Sequence, residues 1–362
     1  MRIAYDLRIL GGTMHGMARY GLELLRALLA ADPALDIQVL LRSPEHAAQL
    51  PAQPALRTLV CNLPPYGLAA QIGLPGLLRR LAPDLYFCPF YAPPVVYAGA
   101  TVFTIHDLIH LRFPADHGLK HRLFHRLITR PAAAKAAAIF TVSKHSRGDI
   151  VEMLGVDPRR VVITPNGVGP AFLPLEPERR PAAAANLGLP PEFILGVGNP
   201  KPHKNLGSLL AAARLLGEKA PPLVLVGLEP GQLADAPPGP RLIYLPRLED
   251  RELALAYGAA RAVVIPSLYE GFGLPALEAL ACGAPLIASN RASLPEVVGT
   301  AGLLVEPGPE SLAEALSRLL GDEGLRAHLA LAGPDQAARF TWQGAAATAL
   351  VVFRRVVEGT WP

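Results

Sequence analysis

Short apolar runs alternate with longer helix-like stretches along almost the whole chain. In the second half these runs are FILGVG, LVLVG, LIYL, AVVIP, APLIAS and GLLV, and in the first half they are RIAYDL, IQVLL, DLYF, TVFTI, AIFTVS and VVIT. Ala/Leu-rich segments such as LGSLLAAARLL separate them. Such alternation is typical of parallel strands joined by crossover helices. We therefore predict an α/β protein with two doubly wound domains.

The length of the chain also favours two domains. At 362 residues and 51% hydrophobic, it exceeds the roughly 250 to 300 residues at which single cores stop growing. Residues 169–192 are rich in proline and charge and lack a strand-like run, so we expect a linker there. We place the first domain at 1–168 and the second at 193–335, followed by a C-terminal helix at 336–362.

Composition limits the compartment and the partners. Cys61, Cys88 and Cys282 are too few and too widely spaced for a disulfide framework, which favours a reducing cytoplasm. No apolar run reaches the roughly 18 residues that span a bilayer. We expect a cytoplasmic protein, or one at the inner face of the membrane. The net charge of +4 is weak and the basic cluster is short, so we expect no nucleic-acid partner.

The stretch SLYEGFGLPALEALACG carries the most specific chemistry. It places Glu270 and Glu278 on either side of a glycine turn between a strand and a helix, and Pro275 suits the first turn of that helix. Because Gly271 and Gly273 carry no side chain, a ligand could approach the backbone N–H groups of this turn closely. Carboxylates beside such a turn suit hydroxyl-rich ligands such as a sugar and a ribose. A helix dipole alone would explain Glu278, but not Glu270 or the glycines.

This stretch resembles the E-x7-E signature of retaining glycosyltransferases of family 4, which have the GT-B architecture of two Rossmann-like domains facing across a cleft. PNGV, VGNPKPHKNLGSLL, TIHDLIHLRFP and TVSKHSR occur at 165–168, 197–210, 104–114 and 141–147, in the order of the family. The resemblance implies transfer of a sugar from a nucleoside diphosphate sugar to an acceptor hydroxyl, with no cofactor. It also implies that the first domain binds the acceptor, the second binds the donor, and the last helix returns to the first domain.

The resemblance assigns roles to individual residues. Glu278 would hold the ribose of the donor, and Glu270 would lie against the donor sugar. Lys204 would neutralise the diphosphate leaving group, where a fixed cation lowers the barrier. Many family members have arginine where this chain has Asn199, so Lys201 or His203 would supplement Lys204. The main-chain groups of four residues would face the sugar and diphosphate: Gly271, Phe272, Gly273 and Leu274.

Two segments of the first domain complete the predicted site. In the family the loop GGTMHG covers the diphosphate and acceptor, so Gly12 and Gly16 are candidate residues; a plain tight turn is the alternative. A dinucleotide fingerprint is disfavoured because the spacing is not G-x-G-x-x-G. His106 ends the strand TVFTI and matches a family histidine near the donor sugar. Ser143 either belongs to the site or caps the helix that follows.

The segment LKHRLFHRLITR leaves two interpretations open. His117, His121 and His125 are spaced by four, which could hold zinc, but the chain contains no D-x-D and we expect no metal site. Basic side chains beside Leu and Phe instead predict peripheral membrane association through 119–130, or a helix with its apolar stripe in the core. The basic residues are Lys120, Arg122, Arg126 and Arg130. The apolar residues are Leu119, Leu123, Phe124, Leu127 and Ile128.

Similar chains with the P-x-K-N loop often use GDP-mannose, so we rank it first as the donor and a UDP-sugar next. The acceptor would be a saccharide or a lipid-linked saccharide in polysaccharide or glycolipid synthesis. Two alternatives are a phosphorylase-like enzyme that uses a sugar phosphate, and a non-catalytic protein that binds nucleotide sugars. Glu278, as a ribose-binding acid, argues against the first, and Lys204, Glu270 and Glu278 together argue against the second.

Overall fold

The computed structural model of the protein describes residues 1–11, 15–53, 56–114, 118–217, 220–233 and 242–362. The chain forms two compact units, one of residues 1–167 with 341–362 and one of residues 168–340. Each unit is built on one sheet in which all strand pairs are parallel. The predicted α/β class with two doubly wound domains is confirmed.

The sheet of the first unit has seven strands in the order β3-β2-β1-β4-β5-β6-β7. The strands are β1 (Arg2–Asp6), β2 (Asp36–Leu41), β3 (Leu56–Val60), β4 (Leu85–Cys88), β5 (Thr101–Thr104), β6 (Ala138–Thr141) and β7 (Val161–Ile163). Every residue of β4 and β6 is buried, as expected for parallel strands covered on both faces. The strand order reverses between β1 and β4, which places a crevice at their carboxyl ends.

Helices connect these strands. They are α1 (Gly16–Ala31), α2 (Leu68–Leu81), α3 (Ile109–Arg112), α4 (Leu119–Phe124), α5 (Arg130–Lys135) and α6 (Lys144–Leu154). A π-helical turn, His125–Thr129, joins α4 to α5. The side chain of Ser143 accepts a hydrogen bond from the amide of Ser146 at 3.0 Å, so Ser143 is the N-cap of α6.

The sheet of the second unit has six strands in the order β10-β9-β8-β11-β12-β13. The strands are β8 (Ile194–Val197), β9 (Leu223–Val226), β10 (Leu242–Leu245), β11 (Ala262–Ile265), β12 (Leu286–Ser289) and β13 (Leu303–Val305). The helices are α7 (Arg180–Asn186), α8 (Leu206–Leu215), α9 (Asp250–Ala259), α10 (Leu274–Ala281), α11 (Leu294–Val298), α12 (Pro309–Gly321) and α13 (Glu323–Ala337). The strand order reverses between β8 and β11, so the crevice of this sheet lies beyond these two strands.

The segment 169–192, expected to be a linker, belongs to the second unit. It contains α7, which packs against α9. Ala183 and Ala184 are buried in this contact, and Phe172 packs against Tyr257 with ring centroids 6.2 Å apart. Burial of these small and aromatic side chains stabilises the packing of this segment on the second unit.

The last helix, α14 (Trp342–Val357), belongs to the first unit and packs against α1. Phe353 lies between Phe87 of β4 and Phe140 of β6, with centroid separations of 5.1 and 5.6 Å. The boundary between the second unit and this returning segment falls after Phe340. Within the described ranges, no helix combines the length and apolar character needed to cross a membrane.

Candidate functional site

An ion pair lies at the reversal of strand order in the second unit. Lys204 follows β8 and Glu270 follows β11, and Lys204 Nζ lies 2.7 Å from Glu270 Oε1. The two side chains are only 15% and 12% exposed. The Ser267 hydroxyl donates a second hydrogen bond to the same carboxylate oxygen at 2.7 Å. The crevice therefore holds a cation whose position is set by a carboxylate with two partners.

Backbone contacts fix the two loops that carry this pair. The amide of Leu268 donates to the carbonyl of His203 at 2.7 Å. Asn205 adopts a left-handed conformation with φ of 54°, and its side-chain amide donates to the carbonyls of Pro266 at 3.0 Å and Pro307 at 2.8 Å. These bonds tie the loop after β8 to the loop after β11, so Lys204 and Glu270 approach each other on a rigid frame.

The glycine turn before α10 is shaped by close packing. Gly273 has φ of 100°, a conformation that favours glycine, and a Cβ there would also displace Leu294 Cδ2, which lies 2.7 Å away. The hydroxyl of Ser293 donates to the carbonyl of Glu270 at 2.8 Å. Gly271 is buried, and Phe272 is buried against Phe340 with ring centroids 5.6 Å apart. Leu274 starts α10 and Pro275 lies in its first turn, as the sequence predicts.

Glu278 lies one turn further along α10 and is 7% exposed. The hydroxyl of Tyr257, on α9, donates to its Oε2 at 3.4 Å. Burial, and secondly the nearby charge of Glu278, raise the pKa of the Cys282 thiol to about 12. Cys282 therefore stays protonated and inert beside this carboxylate. Glu270 is paired with a cation and Glu278 is bonded by a phenol, so the two acids of the motif have different surroundings.

The residues proposed to supplement Lys204 lie on one short turn. The side-chain oxygen of Asn199 accepts from the amide of Lys201 at 3.2 Å, so Asn199 shapes this turn. His203 is buried, whereas Lys201 is exposed. Of the two candidates, only Lys201 presents its side chain to solvent.

His106 follows β5 in the first unit, at the edge where strands of a parallel sheet present ligand-binding loops. Its Nε2 lies 2.9 Å from the carbonyl oxygen of Pro89, which follows β4. A carbonyl only accepts, so Nε2 carries the hydrogen and Nδ1 is the acceptor of the neutral ring. The Tyr20 ring packs at right angles to it at 4.7 Å. Burial lowers the pKa of His106 to about 4, so the ring is neutral at physiological pH.

The remaining candidates are the two glycines after β1 and the three histidines considered for zinc. Gly12 lies outside the described residues. Gly16 begins α1, and a Cβ there would meet nothing within 4 Å, so packing does not require glycine at this position. Of the three histidines considered for zinc, His117 and the side chain of His121 also lie outside the described residues. The described part of the chain contains no cluster of three side chains able to hold a metal ion.

Sequence reasoning missed the residues that position this chemistry. Ser267, Ser293 and Asn205 fix Glu270 and its loop, and the only signal was their place just after strands or in the P-x-K-N run. It also missed a buried ion pair between Arg8 and Asp6 at 2.6 Å, at the end of β1. The Tyr86 hydroxyl donates to the same Asp6 oxygen at 2.6 Å. This network joins the end of β1 to β4.

Two family models and several proteins of known function match this chain. The family model "Glycosyl transferases group 1" matches residues 180–336, and the model "Glycosyltransferase Family 4" matches residues 14–172. O-antigen chain mannosyltransferase B of Escherichia coli is 32% identical over 74% of this chain and 73% of its own length. Serotype-specific mannosyltransferase WbdA of Escherichia coli is 30% identical over 81% of this chain. The chain spans 39% of the length of that protein.

Solved structures show the same fold. Sucrose-phosphate synthase of Thermosynechococcus elongatus has a TM-score of 0.80 at 21% identity, with 99% of both chains covered. Anabaena HepE in complex with UDP-glucose has a TM-score of 0.70 at 18% identity, also with 99% of both chains covered. Each is a two-domain GT-B neighbour, and the predicted GT-B fold is confirmed. The chain belongs to glycosyltransferase family 4, and it is a hexosyltransferase that resembles mannosyltransferases.

Proposed function

We propose that this glycosyltransferase takes its sugar from a nucleoside diphosphate sugar and transfers it with retention of configuration. The observation that carries the proposal is the Lys204–Glu270 pair, with Nζ and Oε1 2.7 Å apart at the strand reversal of the second unit. Breaking the bond between the anomeric carbon and the diphosphate leaves negative charge on a phosphate oxygen. A fixed ammonium group beside that oxygen stabilises the charge as it develops.

In the proposed reaction, the acceptor oxygen bonds to the anomeric carbon on the face from which the diphosphate departs. The electrons of the broken bond stay on the diphosphate, and the acceptor hydroxyl proton passes to a diphosphate oxygen. Glu270 holds Lys204 in place through one oxygen, which also accepts from Ser267. Its other oxygen is then available to a sugar hydroxyl.

Glu278 and His106 have supporting roles in this proposal. The carboxylate of Glu278 accepts a hydrogen bond from a ribose hydroxyl, which its burial beside Tyr257 makes stronger than in water. The neutral ring of His106 accepts from a sugar hydroxyl through Nδ1, because Nε2 is held by Pro89. A neutral His106 does not contribute positive charge, so the diphosphate depends on Lys204 and Lys201.

GDP-mannose is our first choice of donor and a UDP-sugar the second. Two relatives named as mannosyltransferases, one of them of the O-antigen chain, support a mannosyl donor and a polysaccharide or glycolipid acceptor. A related fold in complex with UDP-glucose supports the second choice. The reaction as drawn uses lysine for the charge that a divalent ion supplies in other enzymes, so we propose that it is independent of metal.

Thermal unfolding with GDP, UDP, ADP or dTDP, each with and without magnesium, tests this proposal. A ligand that binds only the folded protein at 100 times its Kd stabilises it by about 2.7 kcal/mol. We expect one nucleotide to stabilise the protein equally with and without magnesium, and GDP-mannose to be consumed in a transfer assay. Absence of a shift with all four nucleotides would refute the nucleotide-sugar donor. A shift that requires magnesium would refute metal independence.

We also propose that residues 119–130 associate with the membrane surface. Leu123 and Leu127 are 52% and 56% exposed, so the apolar stripe is not fully covered by the core. Lys120, Arg122 and Arg126 are exposed on the same segment, and basic residues beside exposed leucines suit anionic lipid. Sedimentation with phosphatidylglycerol vesicles tests this. We expect binding at low salt that Leu123→Ser with Leu127→Ser abolishes, and no binding by the unaltered protein would refute it.

A further inference from the structure

An aromatic cluster lies at the carboxyl edge of the sheet in the first unit. We define it as Tyr66, Tyr91, His110, Phe124 and His125. Tyr66 follows β3, Tyr91 follows β4 and His110 follows β5, while the other two lie where α4 meets the π-helical turn. Loops at this edge of a parallel sheet are where ligands bind. We propose that the aromatic cluster binds a pyranose ring of the acceptor saccharide, which rests on the proposed function and names its acceptor site.

The rings of the cluster follow one another through three loops. The centroids of Tyr66 and Tyr91 are 5.2 Å apart with 31° between planes, and those of Tyr91 and His110 are 6.1 Å apart with 28° between planes. Phe124 stands at 88° to Tyr91 at 6.0 Å. Tyr66, Tyr91, His110 and Phe124 are all only half-buried. The rings therefore hold one another in place and keep part of their surface accessible to a ligand.

The innermost ring of the cluster has an unused polar atom. His125 is 6% exposed, and its ring centroid lies 5.1 Å from that of His110. Its buried Nε2 has no hydrogen-bond partner among the described residues. Leaving such a buried atom unpaired is unfavourable, because it has lost its hydrogen bonds to water. A hydroxyl of a bound ligand would remove this cost.

The backbone at His125 supports a ligand site independently. His125 is the first residue of the π-helical turn His125–Thr129 within the otherwise α-helical stretch from α4 to α5. Single π-helical turns are rare in proteins, and many of those that do occur lie at functional sites. The hydroxyl of Thr129, at the end of this turn, donates to the carbonyl of Tyr91 at 3.3 Å. The irregular turn is thus bonded directly to the loop that carries the central ring of the cluster.

The chemistry of the cluster matches a saccharide. A pyranose has apolar C–H faces and a rim of hydroxyl groups, which suit ring faces bordered by polar atoms. Burial raises the pKa of Tyr66 and of Tyr91, so both phenols stay protonated. The Tyr66 hydroxyl donates to Met17 Sδ at 3.7 Å, a weak acceptor that a ligand oxygen could replace. Burial, and secondly Arg130, lower the pKa of His125, so its ring is neutral. The cluster therefore offers uncharged donors and acceptors beside apolar faces.

Saturation-transfer NMR on the full chain, with α-mannobiose and maltose as probes and no donor present, tests this site. Tyr91→Leu removes the central ring, Tyr91→Phe keeps it, and His125→Leu removes the unpaired nitrogen. Tyr97→Ala is the control, because Tyr97 is a half-buried tyrosine of the same unit that lies before β5, at the opposite edge. The GDP and UDP thermal shifts are measured on every variant.

We expect Tyr91→Leu to weaken binding of one probe about tenfold and His125→Leu about fivefold, through lost stacking and a lost hydrogen bond. Tyr97→Ala should bind as the unaltered protein does, and Tyr91→Phe should lose less than Tyr91→Leu because it loses a hydroxyl but keeps the ring. Nucleotide shifts should be the same in all variants. No signal with either probe, or equal binding by Tyr91→Leu and Tyr97→Ala, would overturn the proposal. If the protein binds a saccharide but neither GDP nor UDP raises its Tm, the nucleotide-sugar donor is contradicted, whereas the aromatic cluster is still supported as a saccharide site.

Discussion

Replacing Lys204 with methionine tests whether the ammonium group acts in the reaction or only stabilises the fold. Methionine keeps most of the side-chain volume and removes the charge. With an effective dielectric constant of about 20, two unit charges 4 Å apart interact by about 4 kcal/mol. Loss of that interaction with the leaving diphosphate corresponds to a decrease in kcat of about 10² to 10³. The assay is turnover of GDP-mannose or UDP-glucose under saturating donor.

The ion pair complicates this test, because Lys204→Met leaves the carboxylate of Glu270 12% exposed without its cation. Losing one member of a well-buried pair costs about 3 to 5 kcal/mol of stability, and the cost is less here because both groups retain contact with solvent. A lower rate could then reflect a displaced loop. The double variant Lys204→Met with Glu270→Gln removes both charges and keeps the Ser267 hydrogen bond available.

The double variant separates the two explanations. If Lys204 stabilises the departing diphosphate, the double variant regains thermal stability and kcat stays low. If the pair only holds the loops together, stability and kcat should recover together. If Lys204→Met alone folds normally and loses less than about tenfold in kcat, the reasoning is refuted. A tenfold loss corresponds to about 1.4 kcal/mol, well below the interaction expected for two charges 4 Å apart.

Three further outcomes follow from the same geometry. Glu278→Ala should weaken nucleotide binding by about 1 to 3 kcal/mol through the loss of a charged hydrogen bond, measured by calorimetry, and an unchanged Kd would contradict the ribose role. Gly273→Ala should destabilise the protein by about 1 to 3 kcal/mol, because φ is 100° and the new Cβ would lie 2.7 Å from Leu294 Cδ2; an unchanged Tm would oppose this. His106 has a folded pKa of about 4 against an ordinary 6.5, so the unfolded chain binds the extra proton first as pH falls. Its stabilising contribution should be complete above pH 6.5 and decrease by about 1.4 kcal/mol per pH unit between 6.5 and 4. His106→Gln should have a smaller loss of Tm over that range, and equal losses would refute the assignment.

Local chemistry was predictable from the sequence where it depends on near neighbours. The strand β11, the glycine turn and Pro275 in the first turn of α10 follow one another between residues 262 and 275, and the structure has them in the predicted order. Ser143 could be assigned to two roles, and the bond from the amide of Ser146 shows that it caps α6. The packing of α7, within the expected linker, against α9 could not be read from local composition, because α9 begins more than 60 residues after the end of α7.

Contacts between side chains that follow different strands could not be predicted from the sequence. Lys204 and Glu270 were each predicted from motifs, but their direct contact joins residues 66 positions apart. It forms because β8 and β11 are neighbours, although two strands lie between them in the chain. Periodicity identifies the strands but does not determine their order in the sheet. The same limit explains why Ser267 and Asn205 were missed.

The aromatic cluster shows the same dependence on strand order in the first unit. Its rings come from the loops after β3, β4 and β5, and β3 is separated from β4 in the sheet by β2 and β1. Tyr66 reaches Tyr91 only because its loop extends across the carboxyl ends of those two strands. His106 and Pro89 meet for the simpler reason that β4 and β5 are adjacent. In both units, therefore, the polar and aromatic groups proposed to act on a sugar are brought together by loops that cross the reversal of strand order or flank it. A substitution that altered the packing of those loops would impair the site without touching any residue that contacts substrate.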